Sequence, residues 1–327
     1  AIGSQVFDSR TNAAEPQRPR LSVAGHLHDR VTALAEGRVK VAGYDVQFES
    51  SSIGELNRHI FSGPGTRDVT EVGLIPYLLA FANDDFRDYQ LLPAFVLKVF
   101  RHKSIFVHTE RGIVKPEDLR GRKVATVGYS SSGLTWIRGI LQDEYGVSPD
   151  EIQWVATASD SAKKQTGGPS KWEKIRPKGV SIIDGPPGKD ESDLLLDGTV
   201  DAIFHPAEPR LFVERHPKVR RLFQNCREVE KRYFTKTGIY PIMHLIAIRS
   251  ELVRSDPDAP KAVFDAYVKS KQLDYLEMRR IQWAYSTLPW FGQEYDETVA
   301  LMGENFYSYG IPLNRKAIES ACRYLYQ

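Results

Sequence analysis

The sequence predicts an α/β protein with two lobes, and three observations support this fold class. Short apolar segments rich in β-branched and aromatic residues alternate with helical patterns from residue 21 onward, which is typical of sheets with helical crossovers. Two long apolar segments, at 95–107 and 240–249, flank a middle region with its own strand–helix–strand pattern. The 327 residues also suffice for about two domains of roughly 100–200 residues each.

The two long segments set the expected lobe limits, because each is placed to carry the chain from one lobe to the other. We expect residues 21–100 together with 245–327 to form lobe 1, and residues 101–244 to form lobe 2. The chain would then cross twice at a hinge, and the cleft between the lobes would be the natural ligand site.

The individual elements follow from apolar spacing and from the Gly and Pro residues that interrupt it. The N-terminal elements are a strand at 21–25, a short helix at 31–36, two short strands within 39–48, a helix at 53–61, a strand-to-loop passage at 68–73 and a helix opened by Pro76. The later elements are two β segments within 91–107 with a polar joint at 101–103, a short helix at 115–121, a strand at 123–128, a helix at 133–145, strands at 152–156, 200–204 and 240–249, a long helix at 260–285 and further helices to 326.

Composition excludes several classes of protein. The 44 basic and 42 acidic residues give a formal charge of +2, and this balance argues against a nucleic-acid or membrane-surface binder. The two cysteines, Cys226 and Cys322, exclude a disulfide framework and a CxxC metal motif. The sequence contains no apolar run of about 18 residues, so it predicts no membrane span. Residues 1–20 are polar, contain no visible signal peptide and are expected to form a flexible arm, so we expect a cytoplasmic protein.

A serine-rich segment at a predicted strand-to-helix junction is a candidate anion site. Tyr129 is followed by Ser130, Ser131 and Ser132, and Thr135 comes one turn later. The first amides of a helix are unpaired and carry partial positive charge, and hydroxyls beside them add donors. The alternative is simple N-capping of the helix by one serine.

Arginines and histidines occupy other predicted strand ends. Arg30 and Arg101 each lie where a strand leaves a lobe, and arginine pairs bidentately with carboxylates. The alternative for these arginines is an exposed surface position. The imidazoles and the one carboxylate at strand ends are His26, His28, Glu71, His102, His205 and His244. The alternative for the histidines is a hydrogen-bonded position in the core.

Four segments of this sequence resemble the 4,5-dihydroxyphthalate decarboxylase family. They are Arg101–Val107, Gly112–Gly121, Trp136–Val147 and Tyr240–Leu245, and the similarity runs in order from about residue 21 to the end. The resemblance implies the two-lobed fold of type II periplasmic binding proteins. The sequence departs from the family pattern at His28, where a Tyr is usual, and in the segment 129–135.

The resemblance implies a decarboxylase of a hydroxylated aromatic dicarboxylate. On this basis His244 or His102 is expected to be the general acid, and Glu71 or His28 to accept the phenolic proton. The residues expected to bind the substrate are Arg30, Arg101, Tyr129, Ser130, Ser131, Ser132, Thr135, His205 and His26. The alternative is a solute-binding protein that captures a small carboxylate without chemistry, for which a periplasmic location would follow.

A metal site is a further hypothesis. His26, His28, Glu71 and His244 have the ligand types for a divalent ion, although we expect no cofactor. The expected partner is a small aromatic carboxylate rather than a nucleic acid or a membrane. The aromatic residues Tyr307, Tyr309, Tyr324 and Tyr326 could join subunits of a homo-oligomer or pack in the core.

Overall fold

The computed structural model describes residues 18–61, 66–162 and 171–326. Residues 1–17 of the predicted arm at 1–20 lie outside the described residues. Arg20, the last residue of that range, already belongs to the first strand. The strands, in chain order, are β1 Arg20–Gly25, β2 Asp45–Ser50, β3 Val69–Gly73, β4 Tyr89–Lys98, β5 Ile105–His108, β6 Lys123–Val127, β7 Gln153–Thr157, β8 Ile182–Asp184, β9 Ala202–Phe204, β10 Val219–Arg221 and β11 Ile242–Arg249.

The helices are interspersed with these strands, as the alternating pattern predicts. They are α1 Asp29–Ala35, α2 Ile53–Phe61, α3 Leu74–Asn83, α4 Ser132–Tyr145, α5 Glu191–Leu196, α6 Arg210–Val213, α7 Cys226–Thr237, α8 Ser250–Ser255, α9 Ala259–Ile281, α10 Phe291–Met302 and α11 Ile311–Tyr326. Among the described residues, no helix is both long and apolar enough to cross a membrane.

The strands form two sheets, which confirms the predicted two-lobed α/β architecture. The first sheet has the order β2-β1-β3-β11-β4, and the second has the order β10-β5-β9-β6-β7-β8. The chain passes from the first sheet to the second between β4 and β5, and it returns through α7 to β11. The lobe limits at 101 and 244 remain predictions, although β11 begins at Ile242 and so places His244 in the first sheet.

Each sheet is covered by its own apolar core. In β3 every residue is buried, and in β11 every residue but the last is buried, as expected for central strands covered on both faces. The second sheet has separate buried clusters, one including Trp154 and Phe204 and one including Phe106 and Ile203. These cores fix the strand ends from which the site residues project.

Three predicted elements differ from the structure. The short helix predicted at 115–121 is a 3₁₀ helix, Pro116–Leu119. The segment 39–48, predicted to hold two short strands, contains only the start of β2, because the chain before β2 turns at Gly43, whose φ of +82° suits a glycine. The long helix ends at Ile281 rather than near residue 285, and a 3₁₀ turn follows it.

Sheet topology brings the functional side chains to one edge of each sheet. In the first sheet β1 and β3 are parallel, and the antiparallel β11 starts at the edge where they end, so that His244 pairs with Gly73. In the second sheet β9, β6 and β7 are parallel neighbours. The loops that follow these three strands therefore lie together.

Candidate active site

A cavity of about 340 Å³ lies between the two sheets. Such a volume is in the lower part of the roughly 300–1,000 Å³ range of small-molecule sites. Residues from both sheets and from the segment that joins them line it: Ile53, Gly54, Asn57, Leu97, Val99, Arg101, Lys103, Val127, Ser131, Ser132, Gly133, Asp160, Glu173, Pro206, Ala207, Met243 and His244. Of the residues predicted from the sequence, Arg101, Ser131, Ser132 and His244 are in this set.

Arg101 is a buried cation in the cavity wall whose protein partners are neutral. Its Nη1 donates to the carbonyl oxygen of Pro206 at 2.7 Å, and its Nε donates to the sulfur of Met243 at 3.2 Å. Burial lowers the pKa of Arg101 to about 10, so the guanidinium is still charged at neutral pH. No carboxylate of the described residues forms an ion pair with it, and an anionic ligand would supply the missing charge.

The start of α4 forms the neighbouring part of the wall. Ser131 is the N-cap, and its Oγ accepts the Leu134 amide hydrogen at 3.2 Å. Ser132 Oγ accepts the amide hydrogen of Ile75, at the start of α3, at 3.1 Å. Because a hydroxyl both donates and accepts, Ser132 keeps its proton for a ligand in the cavity. Capping and anion binding are thus divided between adjacent serines.

His244 faces the cavity with a buried carboxylate behind it. Its Nδ1 lies 2.8 Å from Oε1 of Glu71, whose side chain is only 1% exposed. Burial alone would raise the pKa of Glu71, but hydrogen bonds from His244 and then His28 outweigh it and hold that pKa well below its usual range. An ionised Glu71 can only accept, so Nδ1 of His244 carries a proton and Nε2 is left for the cavity.

Local irregularity in the sheet helps to position His244. The register between β11 and β4 shifts on both sides of His244, and Leu97 is its partner on β4. Such bulges re-aim side chains next to functional sites.

The other residues predicted for the first strand end lie outside the cavity lining. His28 is 3.5 Å from Glu71 Oε1, burial lowers its pKa, and the exposed His26 contacts it edge-to-face. Arg30 donates to the carbonyl of Val96 and to Asp29, and its guanidinium stacks on Tyr307 at 4.1 Å. The surroundings of Arg30 are those of a structural residue.

His102 does not share a cavity with His244. Its ring packs edge-to-face against Phe223 and Tyr233, at 5.4 and 5.2 Å between ring centroids, and neither ring nitrogen has a hydrogen-bond partner among the described residues. Burial lowers its pKa to about 4, so the imidazole is neutral at pH 7. These surroundings do not suit the general acid expected from the sequence.

Tyr129, Ser130 and Thr135 line a second cavity, of about 400 Å³, on the other side of α4. Ser130 Oγ donates to the carbonyl of Ile175, and Thr135 Oγ1 accepts from Arg138. Arg138 also stacks on the Tyr129 ring at 3.6 Å. The serine-rich segment therefore does not act as one site, because its residues point to both sides of the helix.

His205 belongs to a buried cluster beside the first cavity. Its Nε2 lies 3.0 Å from Oδ1 of Asp160 and 3.7 Å from Oε1 of Glu191. Among the described residues, Asp160, Glu191 and His205 form a group whose potential ligand atoms all lie within 4.8 Å of one another, which is the spacing that a metal ion requires. The predicted set of His26, His28, Glu71 and His244 does not meet this spacing. Nδ1 of His205 accepts the Ala207 amide hydrogen at 2.9 Å, so the proton is on Nε2, and hydrogen bonding is favoured over ligation.

Sequence reasoning missed Asp160, Glu191 and Asn57. Asp160 follows β7 in the same way that Ser132 follows β6, so the strand-end rule could have identified it. No sequence signal identifies Asn57, whose Oδ1 accepts the Gly73 amide hydrogen from a neighbouring element at 2.8 Å.

Comparisons with known proteins identify relatives of this chain. The chain is 30% identical over 303 residues to the 4,5-dihydroxyphthalate decarboxylase of Comamonas testosteroni, covering 92% of this chain and 89% of that protein. It is 28% identical over 205 residues to the enzyme of the same name from Pseudomonas putida, covering 63% and 77%. Residues 96–168 match the family model described as NMT1/THI5 like.

Solved structures are similar to this chain at low sequence identity. A protein from Archaeoglobus fulgidus has a TM-score of 0.50 at 17% identity, covering 94% of this chain and 95% of that one. The periplasmic aliphatic sulphonate binding protein of Escherichia coli has a TM-score of 0.48 at 14% identity, covering 94% and 84%.

The fold and the cleft define a two-lobed α/β protein with a carboxylate-supported imidazole in its cleft. The extent of the similarity to the first relative shows more than the fold. The chain belongs to the 4,5-dihydroxyphthalate decarboxylase family, and it is an enzyme of the decarboxylase class.

Proposed function

We propose that this chain decarboxylates a hydroxylated aromatic dicarboxylate and that 4,5-dihydroxyphthalate is its substrate. The observation that carries this proposal is the placement of Arg101 and His244 in one cavity, one a buried cation with neutral partners and the other an imidazole with a buried carboxylate behind it. The names of the two relatives supply the substrate.

The reaction needs a proton delivered to carbon. Direct loss of CO2 from an aromatic ring leaves an aryl carbanion, which is too unstable to form unaided. Ionising a hydroxyl para to the departing carboxylate moves electron density onto the carbon that bears it. Protonation of that carbon then allows CO2 to leave as the ring regains aromaticity, so the site must contain an acid close to one face of the ring.

His244 has the geometry of this acid. Its Nδ1 is held by Glu71, and its Nε2 is left to transfer a proton to a ligand in the cavity. The buried carboxylate compensates the positive charge that the imidazole carries when both nitrogens are protonated. Glu71, predicted from the sequence as a base, is better placed as the residue that positions His244.

The carboxylate that stays on the ring is bound on the other side of the site. Arg101 offers a planar guanidinium, and Ser132 offers a hydroxyl at the start of α4. Fixing one carboxylate in this way orients the second toward His244, and such positioning contributes strongly to rate. A cytoplasmic location and a homo-oligomeric state remain predictions.

The test is to incubate the purified chain with 4,5-dihydroxyphthalate, 4-hydroxyphthalate and phthalate, with and without a chelator, and to measure CO2. We expect release from the hydroxylated compounds and none from phthalate, which lacks the activating hydroxyl. Tight binding of these acids without CO2 from any of them would contradict the proposal and would favour a solute-binding protein.

A further inference from the structure

Asp160 and His244 line the same cavity from different sheets. Asp160 is in the loop after β7 of the second sheet, is 4% exposed and is among the lining residues. Glu71 and His28, which the sequence suggested as bases, are absent from that lining. A carboxylate on the second-sheet wall therefore faces the space in which a substrate hydroxyl would lie.

The hydrogen bonds around His205 indicate its tautomer. The Ala207 amide donates to Nδ1, so the proton of the neutral imidazole is on Nε2 and is directed at Asp160 Oδ1, 3.0 Å away. The Ala162 amide donates to the same oxygen at 2.7 Å. These two donors help to orient the Asp160 carboxylate.

A second buried carboxylate makes proton uptake by this cluster favourable. Glu191 is fully buried, and its Oε1 lies 3.7 Å from His205 Nε2. Burial raises the pKa of Glu191, in spite of the opposing effect of His205. Two carboxylates so close together are costly when both are charged, so the cluster gains from accepting one proton.

We propose that Asp160 is the base that removes the proton from the hydroxyl para to the departing carboxylate, and that His205 and Glu191 are its positioning residues. This inference rests on the proposed function and assigns a role within that same site. It places the acid and the base on different sheets, so that the ring lies between them.

The step balances without any further reactant. The phenolic O–H bond breaks as the proton passes to Asp160, and the freed electron pair moves through the ring to the carbon bearing the departing carboxylate. That carbon takes a proton from His244 Nε2. The carbon–carbon bond then breaks, its electron pair restores the aromatic phenolate, and CO2 leaves. Asp160 returns its proton to the phenolate oxygen, and His244 regains one from water.

The main test is Asp160→Asn, which keeps an acceptor for His205 and Ala162 but removes the base. We expect kcat to fall by about 10²–10⁴, with an unchanged Kd for phthalate, which has no hydroxyl. The defect should shrink as the pH rises from 7 to 10, because the substrate then arrives already ionised. The matched control is Asp265→Asn, an exposed aspartate paired with Lys261, which should behave as wild type.

The outcomes separate this inference from the proposed function. If wild type releases no CO2, the proposed function fails. If wild type is active and Asp160→Asn keeps its kcat, or loses activity equally at every pH, or binds phthalate at least tenfold more weakly, the base assignment fails.

A positioning variant covers the case in which Asp160→Asn does not fold. His205→Gln keeps Asp160, and we expect kcat to fall about tenfold at an unchanged KM, again with partial recovery at high pH. An unchanged kcat in this variant would contradict the inference.

Discussion

The two walls of the cavity each contain an imidazole and a carboxylate. On the first-sheet wall, His244 lines the cavity and the carboxylate of Glu71 is buried behind it. On the second-sheet wall, Asp160 lines the cavity and the imidazole of His205 is buried behind it. The two walls use the same pair of groups in opposite order. In the first, a carboxylate fixes the tautomer of the imidazole. In the second, a backbone amide does so.

This difference shows that the function of an imidazole–carboxylate pair depends on which member touches the ligand. The wall that presents an imidazole can deliver a proton, and the wall that presents a carboxylate can remove one. The buried glutamates behave accordingly, because the pKa of Glu71 is held low by its imidazole partners while burial raises that of Glu191.

The largest expected effect is that of His244→Asn. The shorter amide can still donate to Glu71, so the buried charge keeps a partner, but the Nε2 position is lost. We expect kcat to fall by about 10²–10⁴, with a Tm within a few degrees of wild type. Turnover near the wild-type rate would show that His244 is not the general acid, and it would contradict the proposed division of roles between the two walls.

The next effect concerns the cation between the two walls. Arg101→Met removes charge-assisted hydrogen bonds worth about 1.5–3 kcal/mol, so the Kd for phthalate should rise about 10- to 100-fold. Arg101→Lys should recover part of the loss, because it restores the charge without the planar fork.

A second buried arginine provides the matched control. Arg138→Lys, in the cavity on the far side of α4, should leave the Kd for phthalate unchanged. Titration calorimetry on folded variants measures all three. A weaker Kd in the Arg138 variant, with no change in the Arg101 variants, would place the ligand in the cavity around Arg138. Neither His244 nor Asp160 lines that cavity.

The two buried glutamates should give opposite pH dependence of stability. Folding lowers the pKa of Glu71, so its ionised form adds stability at neutral pH that is lost as the pH falls below about 4.3. Folding raises the pKa of Glu191, so stability falls as the pH rises above about 4.3.

Urea unfolding from about pH 3 to pH 8 checks these slopes. Glu71→Gln should be less stable than wild type at pH 7, and the difference in stability should narrow only below about pH 4.3. The stability of Glu191→Gln relative to wild type should increase as the pH rises. Each unit by which folding shifts the pKa corresponds to about 1.4 kcal/mol in the free energy of unfolding. Parallel curves for the two variants would contradict the electrostatic distinction between the walls.

The smallest effect is that of Gly133→Ala in the first turn of α4. A Cβ there would lie 3.1 Å from Cζ of Arg101 and 3.1 Å from Cβ of Pro206, which would displace the guanidinium slightly. We expect KM to rise a few-fold, while stability is unchanged or improved by the higher helix propensity of alanine. A lower KM, measured by steady-state kinetics, would show that Arg101 does not contact the substrate.

The sequence predicts the sheets and the strand-end location of the site, because both follow from local patterning and from the topology of parallel strands. It does not predict which neighbour in the chain faces the cavity. Arg101 and His102 are adjacent, yet the 3₁₀ turn that begins at His102 directs the first to the cavity and the second to Phe223 and Tyr233. Ser130 and Ser132 divide in the same way around the start of α4.

Long-range partners account for the remaining differences. Arg30 is occupied by the carbonyl of Val96, which is 66 residues away in the chain. Glu71 meets His244 across 173 residues, because β3 pairs with β11 in the folded sheet. Neither contact can be predicted from the spacing of residues along the chain. For this reason the sequence analysis assigned Arg30 to ligand binding and Glu71 to proton removal.

A crystal structure of the inactive His244→Asn variant with 4,5-dihydroxyphthalate tests the opposition of the two walls most directly. We expect one carboxylate on Arg101, the other beside residue 244, and the hydroxyl para to the latter about 2.6–3.2 Å from Asp160. A ring bound in the cavity around Arg138, or with its hydroxyls directed away from Asp160, would contradict the account.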